Sequence, residues 1–203
     1  TGSDRVLEYE ESGGSWSLLR VVLPASSGVD DPCGLALTPG GDLSVSGCAS
    51  DDVVEVDLAT LSVSPLEEGV VAVGTDDGLV QVTRDDGESW RRWDRFPGVP
   101  ERMKVSSVAW SGTETGTLFV VFDGHKDNIF RPFVVRSDDF GASWRNVTGD
   151  LPDFGPTRSV AVHPRNGDLV FVGTEFGAFF SNRGGNHWLS LGHGLPTVAV
   201  HAM

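Results

Sequence analysis

One short pattern occurs three times in the chain and constrains its fold more than any other feature. It reads TRDDGESW at 83–90, SDDFGASW at 137–144 and, in a degenerate form, SNRGGNHW at 181–188. Each copy follows short runs rich in Val and Phe that alternate with turn sequences such as TDDG and TEFG. Four short strands in about 45 residues, repeated along a chain, are typical of a β-propeller blade.

The repeated units predict an all-β chain that forms one propeller domain, 1–203. We expect about five four-stranded blades, some of them incomplete, in either a closed small ring or a fragment of a larger one. The pattern places repeated units at 58–96, 104–150 and 158–196, a looser region at 1–57, and the first strand of a closing blade at 197–203. That last strand, TVAVHAM, would complete a blade by pairing beside RVLEYE at 5–10 if the ring closes.

Composition limits the partners of the chain. Of 203 residues, 39% are hydrophobic and 22% are charged, which is ordinary for a packed globular protein. The formal net charge of −14 opposes binding to phosphate backbones, so we expect no nucleic-acid partner. No apolar run approaches the roughly 20 residues that span a bilayer, so we expect no membrane insertion. The oligomeric state is left open.

The only two cysteines, Cys33 and Cys48, flank the stretch CGLALTPGGDLSVSGC. If PGGD at 39–42 forms the turn of a hairpin, the two cysteines face each other on adjacent strands, close enough to bridge. A disulfide would indicate a secreted or periplasmic protein, although the sequence begins without a signal peptide. Two small buried thiols are the alternative.

The recurring pattern has the spacing S/T-x-D-x-G-x-S/T-W and resembles the Asp-box, or BNR repeat, of sialidases, sortilin-type receptors and xyloglucan-degrading hydrolases. Over 58–203 the wording is similar to bacterial sortilin-like and "BNR-repeat glycosyl hydrolase" propellers, and 1–57 resembles NHL-type propeller repeats. The positions that carry the pattern are Thr83, Asp85, Gly87 and Trp90, then Ser137, Asp139, Gly141 and Trp144, and finally Ser181, Gly185 and Trp188.

Each member of the pattern has a structural purpose. The carboxylate of Asp85 or Asp139 can accept hydrogen bonds from N–H groups of its own turn, and the glycine permits positive φ. The tryptophan can close over the turn and pack between units. We therefore interpret the pattern as a structural element of the fold and not as a binding or catalytic site. The third copy has Arg183 in the Asp position, so we expect a looser turn with different hydrogen bonds.

A second set of candidate residues lies in the loops between the second and third strands and in the connections between units. Both kinds of segment lie at the same end of an antiparallel unit, opposite the recurring turns, and we call this end the loop face. The loops contribute Asp76, Asp77, Asp123, His125, Lys126, Asp127 and Glu175, and the connections contribute Arg102, Asp153 and Arg158. A ring of carboxylates there would concentrate negative potential. The alternative is that Asp and Gly recur because they form turns well.

Two functions compete for this acidic face. We favour a non-catalytic scaffold that binds a protein, peptide or glycan, with the longer loop DGHKDNIFRPF at 123–133 as the recognition element. The alternative is a glycoside hydrolase of the Asp-box type, which needs two carboxylates across a sugar, from among Asp76, Asp123 and Glu175. Sialidases use a tyrosine as nucleophile. Sialidase chemistry is disfavoured here, because the sole tyrosine, Tyr9, lies outside the repeated units. A calcium site in the longer loop matches no established loop spacing, and we predict neither a metal nor a cofactor.

Overall fold

The computed structural model of the chain describes residues 59–192 and 198–202 in full, together with the backbone of Leu58 and of the strand residues 10–12, 15–17, 32–37, 43–47 and 53–56. Its regular structure is β-strand, apart from one 3-10 turn at His125–Asp127. Within these residues no helix has the length and apolar character needed to cross a bilayer.

The first five strands form two small sheets. A hairpin pairs β1 (Glu10–Ser12) with β2 (Ser15–Ser17), and a three-stranded antiparallel sheet contains β3 (Pro32–Leu37), β4 (Leu43–Gly47) and β5 (Val53–Val56). Leu37 pairs with Leu43 and Leu35 pairs with Val45.

This pairing corrects the register predicted for the cysteine hairpin. With PGGD as the turn, Leu37 would have faced Ser44, so the predicted register is wrong by one residue. The physical reason is that the connection between the two strands spans 38–42, longer than a two-residue hairpin turn. Cys48 and the side chain of Cys33 lie outside the described residues. The disulfide therefore stays a prediction, which mass measurement with and without reductant would decide.

Three four-stranded antiparallel sheets follow, each with its strands in sequence order. The first contains β6 (Leu58–Val63), β7 (Val71–Thr75), β8 (Val80–Thr83) and β9 (Arg91–Trp93). The second contains β10 (Lys104–Trp110), β11 (Leu118–Asp123), β12 (Phe133–Ser137) and β13 (Arg145–Asn146). The third contains β14 (Thr157–His163), β15 (Asn166–Thr174), β16 (Gly177–Ser181) and β17 (Leu189–Ser190). The predicted all-β class and the order of strands within each unit are confirmed.

An irregularity shared by these sheets shows which residues are equivalent. The first strand of each sheet carries a register shift near its start, between Leu58 and Thr60, between Val105 and Ser107, and between Thr157 and Ser159. The same shift occurs between Pro32 and Gly34 in the three-stranded sheet. The last pair before each shift joins the first strand to the end of the second strand: Leu58 with Thr75, Val105 with Phe122, and Thr157 with Thr174. Asp76, Asp123 and Glu175 follow that pair directly, so they occupy one equivalent position in three sheets.

The core lies between neighbouring sheets. One buried cluster joins β6–β9 to β10–β13 and includes Val80, Val105 and Phe122. A second joins β10–β13 to β14–β17 and includes Phe119 and Val172. Because the strands alternate the direction of their side chains, β11 supplies Phe122 to one cluster and Phe119 to the other. Face-to-face packing of successive antiparallel sheets is the arrangement of propeller blades.

Residues 198–202 lie over the third sheet. The Val200 N–H donates to the Thr174 carbonyl at 3.0 Å, and the Ser159 hydroxyl donates to the Val200 carbonyl at 3.3 Å. At the preceding junction the Ser106 hydroxyl donates to the carbonyl of Thr157, the first residue of β14, at 2.8 Å. Val200 thus lies against the third sheet much as the start of β14 lies against the second.

Candidate functional site

The recurring turns between the third and fourth strands lie at the opposite end of the sheets from the loop face, and we call this end the turn face. In the first turn, Asp85 accepts from the Ser89 N–H at 2.8 Å and from the Ser89 hydroxyl at 2.6 Å. The Thr83 hydroxyl donates to Asp85 at 2.8 Å and accepts from the Gly87 N–H at 2.9 Å. The predicted bonding of the carboxylate within its own turn is confirmed.

The second turn repeats this network. Asp139 accepts from the N–H and hydroxyl of Ser143 at 2.8 and 2.6 Å, and Ser137 accepts from the Gly141 N–H at 2.7 Å. Gly87 and Gly141 share a φ of 88°, which a side chain would strain. Hydrogen bonds from Ser143 hold the pKa of Asp139 below its usual value. For Asp85, burial opposes ionisation, but the bonds from Ser89 and Thr83 outweigh it and lower the pKa.

The third turn has different hydrogen bonds from the first two, as expected from its altered sequence. Ser181 still accepts from the Gly185 N–H at 3.0 Å. Arg183, which replaces the aspartate, has no hydrogen-bond acceptor in its side chain. Instead Asp150, from the connection before β14, accepts from the Trp188 N–H at 2.7 Å and pairs with His187. The Trp188 N–H is the main cause of the lowered pKa of Asp150.

The tryptophans that end the second and third turns pack between sheets. Trp144 meets Trp93 edge-on at a centroid distance of 6.0 Å and Phe96 at 5.2 Å, and both of these rings belong to the preceding unit. Trp188 is buried in the second core cluster, and its indole N–H donates to the Val147 carbonyl at 3.0 Å. The turn face is therefore structural, because its carboxylates accept hydrogen bonds from the turns and the rings of Trp144 and Trp188 pack between sheets.

On the loop face, the first equivalent acid is bridged to the next unit. The two carboxylate oxygens of Asp76 each lie 2.8 Å from an ammonium nitrogen, one from Lys104 at the start of β10 and one from Lys126. These two lysines are the main cause of the lowered pKa of Asp76. Lys104 was not among the candidate residues, and its position at a strand start opposite an acid only becomes evident from the fold.

The second and third acids share one arginine. Arg158, at the register shift of β14, lies 2.5 Å from Asp123 and 2.6 Å from Glu175. Asp123 is buried, and its other oxygen accepts from the His125 N–H at 2.9 Å. Hydrogen bonding from Arg158 lowers the pKa of Glu175, and His125 and His201 add smaller attractions. The structure thus brings the predicted residues Asp123, Arg158 and Glu175 into one cluster.

These contacts show how three of the carboxylates predicted on the loop face are paired. Asp76, Asp123 and Glu175 each have a lysine or arginine partner, so their charge is compensated at short range. These pairs were not evident from the sequence because the partners lie far apart in the chain. Glu175 and Arg158 are 17 residues apart within the third unit, and Asp76 and Lys126 are 50 residues apart in successive units. The loop face is a mixed-charge surface at these three positions.

Three exposed phenylalanines lie beside this cluster. Phe154 and Phe176 stack at a centroid distance of 5.2 Å with 15° between planes, and Phe130 lies 6.0 Å from Phe154. His125 meets Phe130 edge-on at 5.4 Å. We call these four rings the aromatic strip. Phe154 and Phe176 were missed by the sequence interpretation, although a phenylalanine within the polar, glycine-containing turns DFGP and TEFG was an available signal.

The remaining predicted residues lie around these groups. Asp77 accepts from the Thr75 hydroxyl at the start of its loop. Arg102 is exposed in the connection before β10, and its backbone has a φ of 60°. Asp127 is exposed in the 3-10 turn. In the part of the chain that the structure describes, no three His, Cys, Asp or Glu side chains are grouped as metal ligands.

No protein-family model matches the sequence, and no curated protein is similar enough in sequence to count as a relative. Solved structures do resemble the chain. An ancestral GH74 enzyme aligns with a TM-score of 0.57 at 18% identity, over 80% of this chain and 22% of its own. The GH74 xyloglucanase of Xanthomonas campestris aligns with a TM-score of 0.53 at 18% identity, over 88% of this chain and 26% of its own.

A third similar structure is a complex with a peptide. YCF48 bound to D1 peptide aligns with a TM-score of 0.52 at 17% identity, over 67% of this chain and 40% of its own. The chain therefore spans less than half the length of each of these three structures. At such low sequence identities the similarity is evidence about the fold alone. We conclude that this chain has a β-propeller fold.

Proposed function

We propose that the chain is an Asp-box propeller that binds a protein or peptide segment on its loop face without catalysing a reaction. The hydrogen-bond network of the turns at 83–90 and 137–144 supports the Asp-box assignment, because the hydroxyl, carboxylate and glycine positions of the motif bond to one another within each turn. YCF48, a propeller of similar fold, is known in complex with a peptide.

The observation that carries the binding function is the aromatic strip. Soluble proteins seldom expose contiguous apolar rings unless the surface meets a partner. Here Phe130, Phe154 and Phe176 are 36%, 62% and 45% exposed, and they come from three different segments of the chain. Loops and connections on the same face of a rigid scaffold are common places for recognition residues.

The carboxylates beside the strip are poorly suited to hydrolysis. A general acid must hold a proton near neutral pH, which requires a raised pKa. The pKa of Asp76 and that of Glu175 are instead lowered by cationic partners. Both carboxylates are therefore ionised at neutral pH, which favours a structural or binding role over acid catalysis.

Glycoside hydrolysis is the alternative, favoured by the fold similarity to GH74 enzymes and by the closeness of Asp123 and Glu175 around Arg158. The test combines two assays. Release of reducing sugar from xyloglucan, β-glucans and sialosides measures hydrolysis, and capture of a phage-displayed random peptide library measures binding. We expect no turnover and peptide capture that Phe176→Ser weakens. Turnover that disappears in Glu175→Gln but persists in the exposed control Glu101→Gln would overturn the proposal.

A further inference from the structure

The aromatic strip is held in place by the main chain. The Gly155 N–H donates to the Phe130 carbonyl at 2.6 Å, which ties the connection that carries Phe154 to the loop that carries Phe130. The Glu175 N–H donates to the Pro156 carbonyl at 3.1 Å, which ties the same connection to the loop that carries Phe176. The backbone segments that carry the rings therefore need little ordering when a partner binds, which lowers the entropic cost of association.

The orientation of the rings suits side chains better than sugars. Stacking a sugar needs an open, flat aromatic face. One face of Phe154 is turned toward Phe176, and Phe130 is tilted by 41° from Phe154, so the three rings do not form one extended flat surface. Phenylalanine also offers no hydrogen-bonding group for hydroxyls. The neighbouring Asp123 and Glu175 already accept from Arg158. An apolar side chain set against the rings fits this chemistry.

Charge indicates the rest of the partner. The chain carries a formal net charge of −14, which attracts cations over long distances. Directly beside Phe154, the side chain of Asp153 is 93% exposed and lies 3.6 Å from Arg131, which is also exposed. Exposed pairs at such a distance are weak, so a cation from a partner can compete for Asp153. The loop-face lysines and Arg158 already contact carboxylates.

We infer that the aromatic strip and Asp153 together bind a positively charged peptide segment, with an aromatic or aliphatic side chain of the segment set against Phe154 and Phe176 and a lysine or arginine beside Asp153. This inference rests on the proposed function and specifies its partner. The rings anchor the segment through burial of apolar surface. The carboxylate of Asp153 favours a positively charged segment and speeds the association of that segment with the chain.

The test uses pools of short synthetic peptides with fluorescent labels: basic with Phe or Leu, basic without apolar residues, and acidic with Phe or Leu. Binding to the whole chain is measured by fluorescence anisotropy at low and high salt. We expect the basic apolar pool to bind at least about tenfold more tightly than either other pool. Phe154→Ser and Phe176→Ser should each weaken it about tenfold, and Asp153→Asn should weaken it several-fold and flatten its salt dependence.

Leu66→Ser is the matched control, because Leu66 is similarly exposed, at 42%, but lies between β6 and β7 at the turn-face end of the first sheet. It should bind like wild type, and thermal melting should show all four variants folded. Tightest binding by the acidic pool, or binding that both phenylalanine variants retain, would refute the inference while leaving peptide binding intact. Failure of every pool, with signals on a glycan array instead, would refute the inference and the proposed function together.

Discussion

The turn face and the loop face both hold carboxylates, but they satisfy them in different ways. On the turn face, Asp139 bonds to Ser137 and Ser143, which lie within four residues of it. On the loop face, Asp123 and Glu175 bond to Arg158, and Asp76 bonds to two lysines of the following unit. The first two recurring turns satisfy their carboxylates through residues close in sequence, whereas the loop-face carboxylates are paired with residues 17 to 50 positions away, partly from the following sheet.

This difference shows which end of the sheets can vary between units. A turn that satisfies its own polar groups needs no particular neighbour, so it can recur with little change in each blade. A loop whose charges are paired with residues far away in the chain is less constrained in its own length and sequence. The long loop at 124–132 and the exposed Phe154 and Phe176 occur on this second face.

The largest effect is expected where one cation serves two acids. Arg158→Ala leaves Asp123, which is buried, and Glu175 close together without their shared cation. We expect a loss of about 2 to 3 kcal/mol in the free energy of unfolding, measured by urea denaturation. As a control, Arg95→Ala removes an exposed pair with Glu101 at 3.2 Å and should cost less than about 0.5 kcal/mol. Equal losses in the two variants would show that the loop-face pairs act as ordinary surface pairs.

The second-largest loss of stability is expected from removing the carboxylates of the turn face. Asp139→Ala strands the N–H and hydroxyl of Ser143, and Asp85→Ala does the same to Ser89. Each should lower the free energy of unfolding by about 1 to 2 kcal/mol, because the turn loses bonds that water only partly replaces. Arg183→Ala, at the equivalent position of the third turn, should change it by less than about 0.5 kcal/mol. Urea denaturation of the three variants would contradict this if Arg183→Ala cost as much as Asp139→Ala.

Acid should weaken both faces. Asp76, Asp139 and Glu175 have folded-state pKa values below the ordinary 3.8 for Asp and 4.5 for Glu. As pH falls past those values, the unfolded chain takes up protons first, so stability present above them is lost as pH falls further through the lower folded values. Melting temperature measured from about pH 7 to about pH 3 should fall mainly below about pH 4.5. Asp76→Asn should show a shallower fall, and an identical slope would argue against the lysine bridge.

The smallest effect sharpens the comparison by repairing the third turn. The double variant Arg183→Asp with His187→Ser restores the sequence pattern of the first two copies. Because Asp150 already accepts from the Trp188 N–H, the gain should be modest, about 0.5 to 1 kcal/mol. Chemical denaturation measures it. A loss of stability would mean that the pair of His187 with Asp150 matters more than the turn network.

Particular residues show how far sequence alone reaches. The recurrence of Asp, Gly and Trp predicted the turn hydrogen bonds and the order of four strands, because those depend on residues close together in the chain. Counting residues about PGGD placed its register one residue off, because the length of a connection is hard to define without the paired strands. The ion pairs of Asp76 with Lys104 and of Asp123 with Arg158 were not predicted, because each cation lies on the sheet that follows its acid.

By itself the sequence determined the all-β class, the repeated unit and the self-contained turns, since strand periodicity and turn chemistry act over a few residues. Only the tertiary structure decided which charges neutralise Asp76, Asp123 and Glu175, and that Phe130, Phe154 and Phe176 meet in one strip. The reason is geometric. The ends of strands from separate blades converge on one face only after the sheets pack, so side chains far apart in the chain become neighbours there.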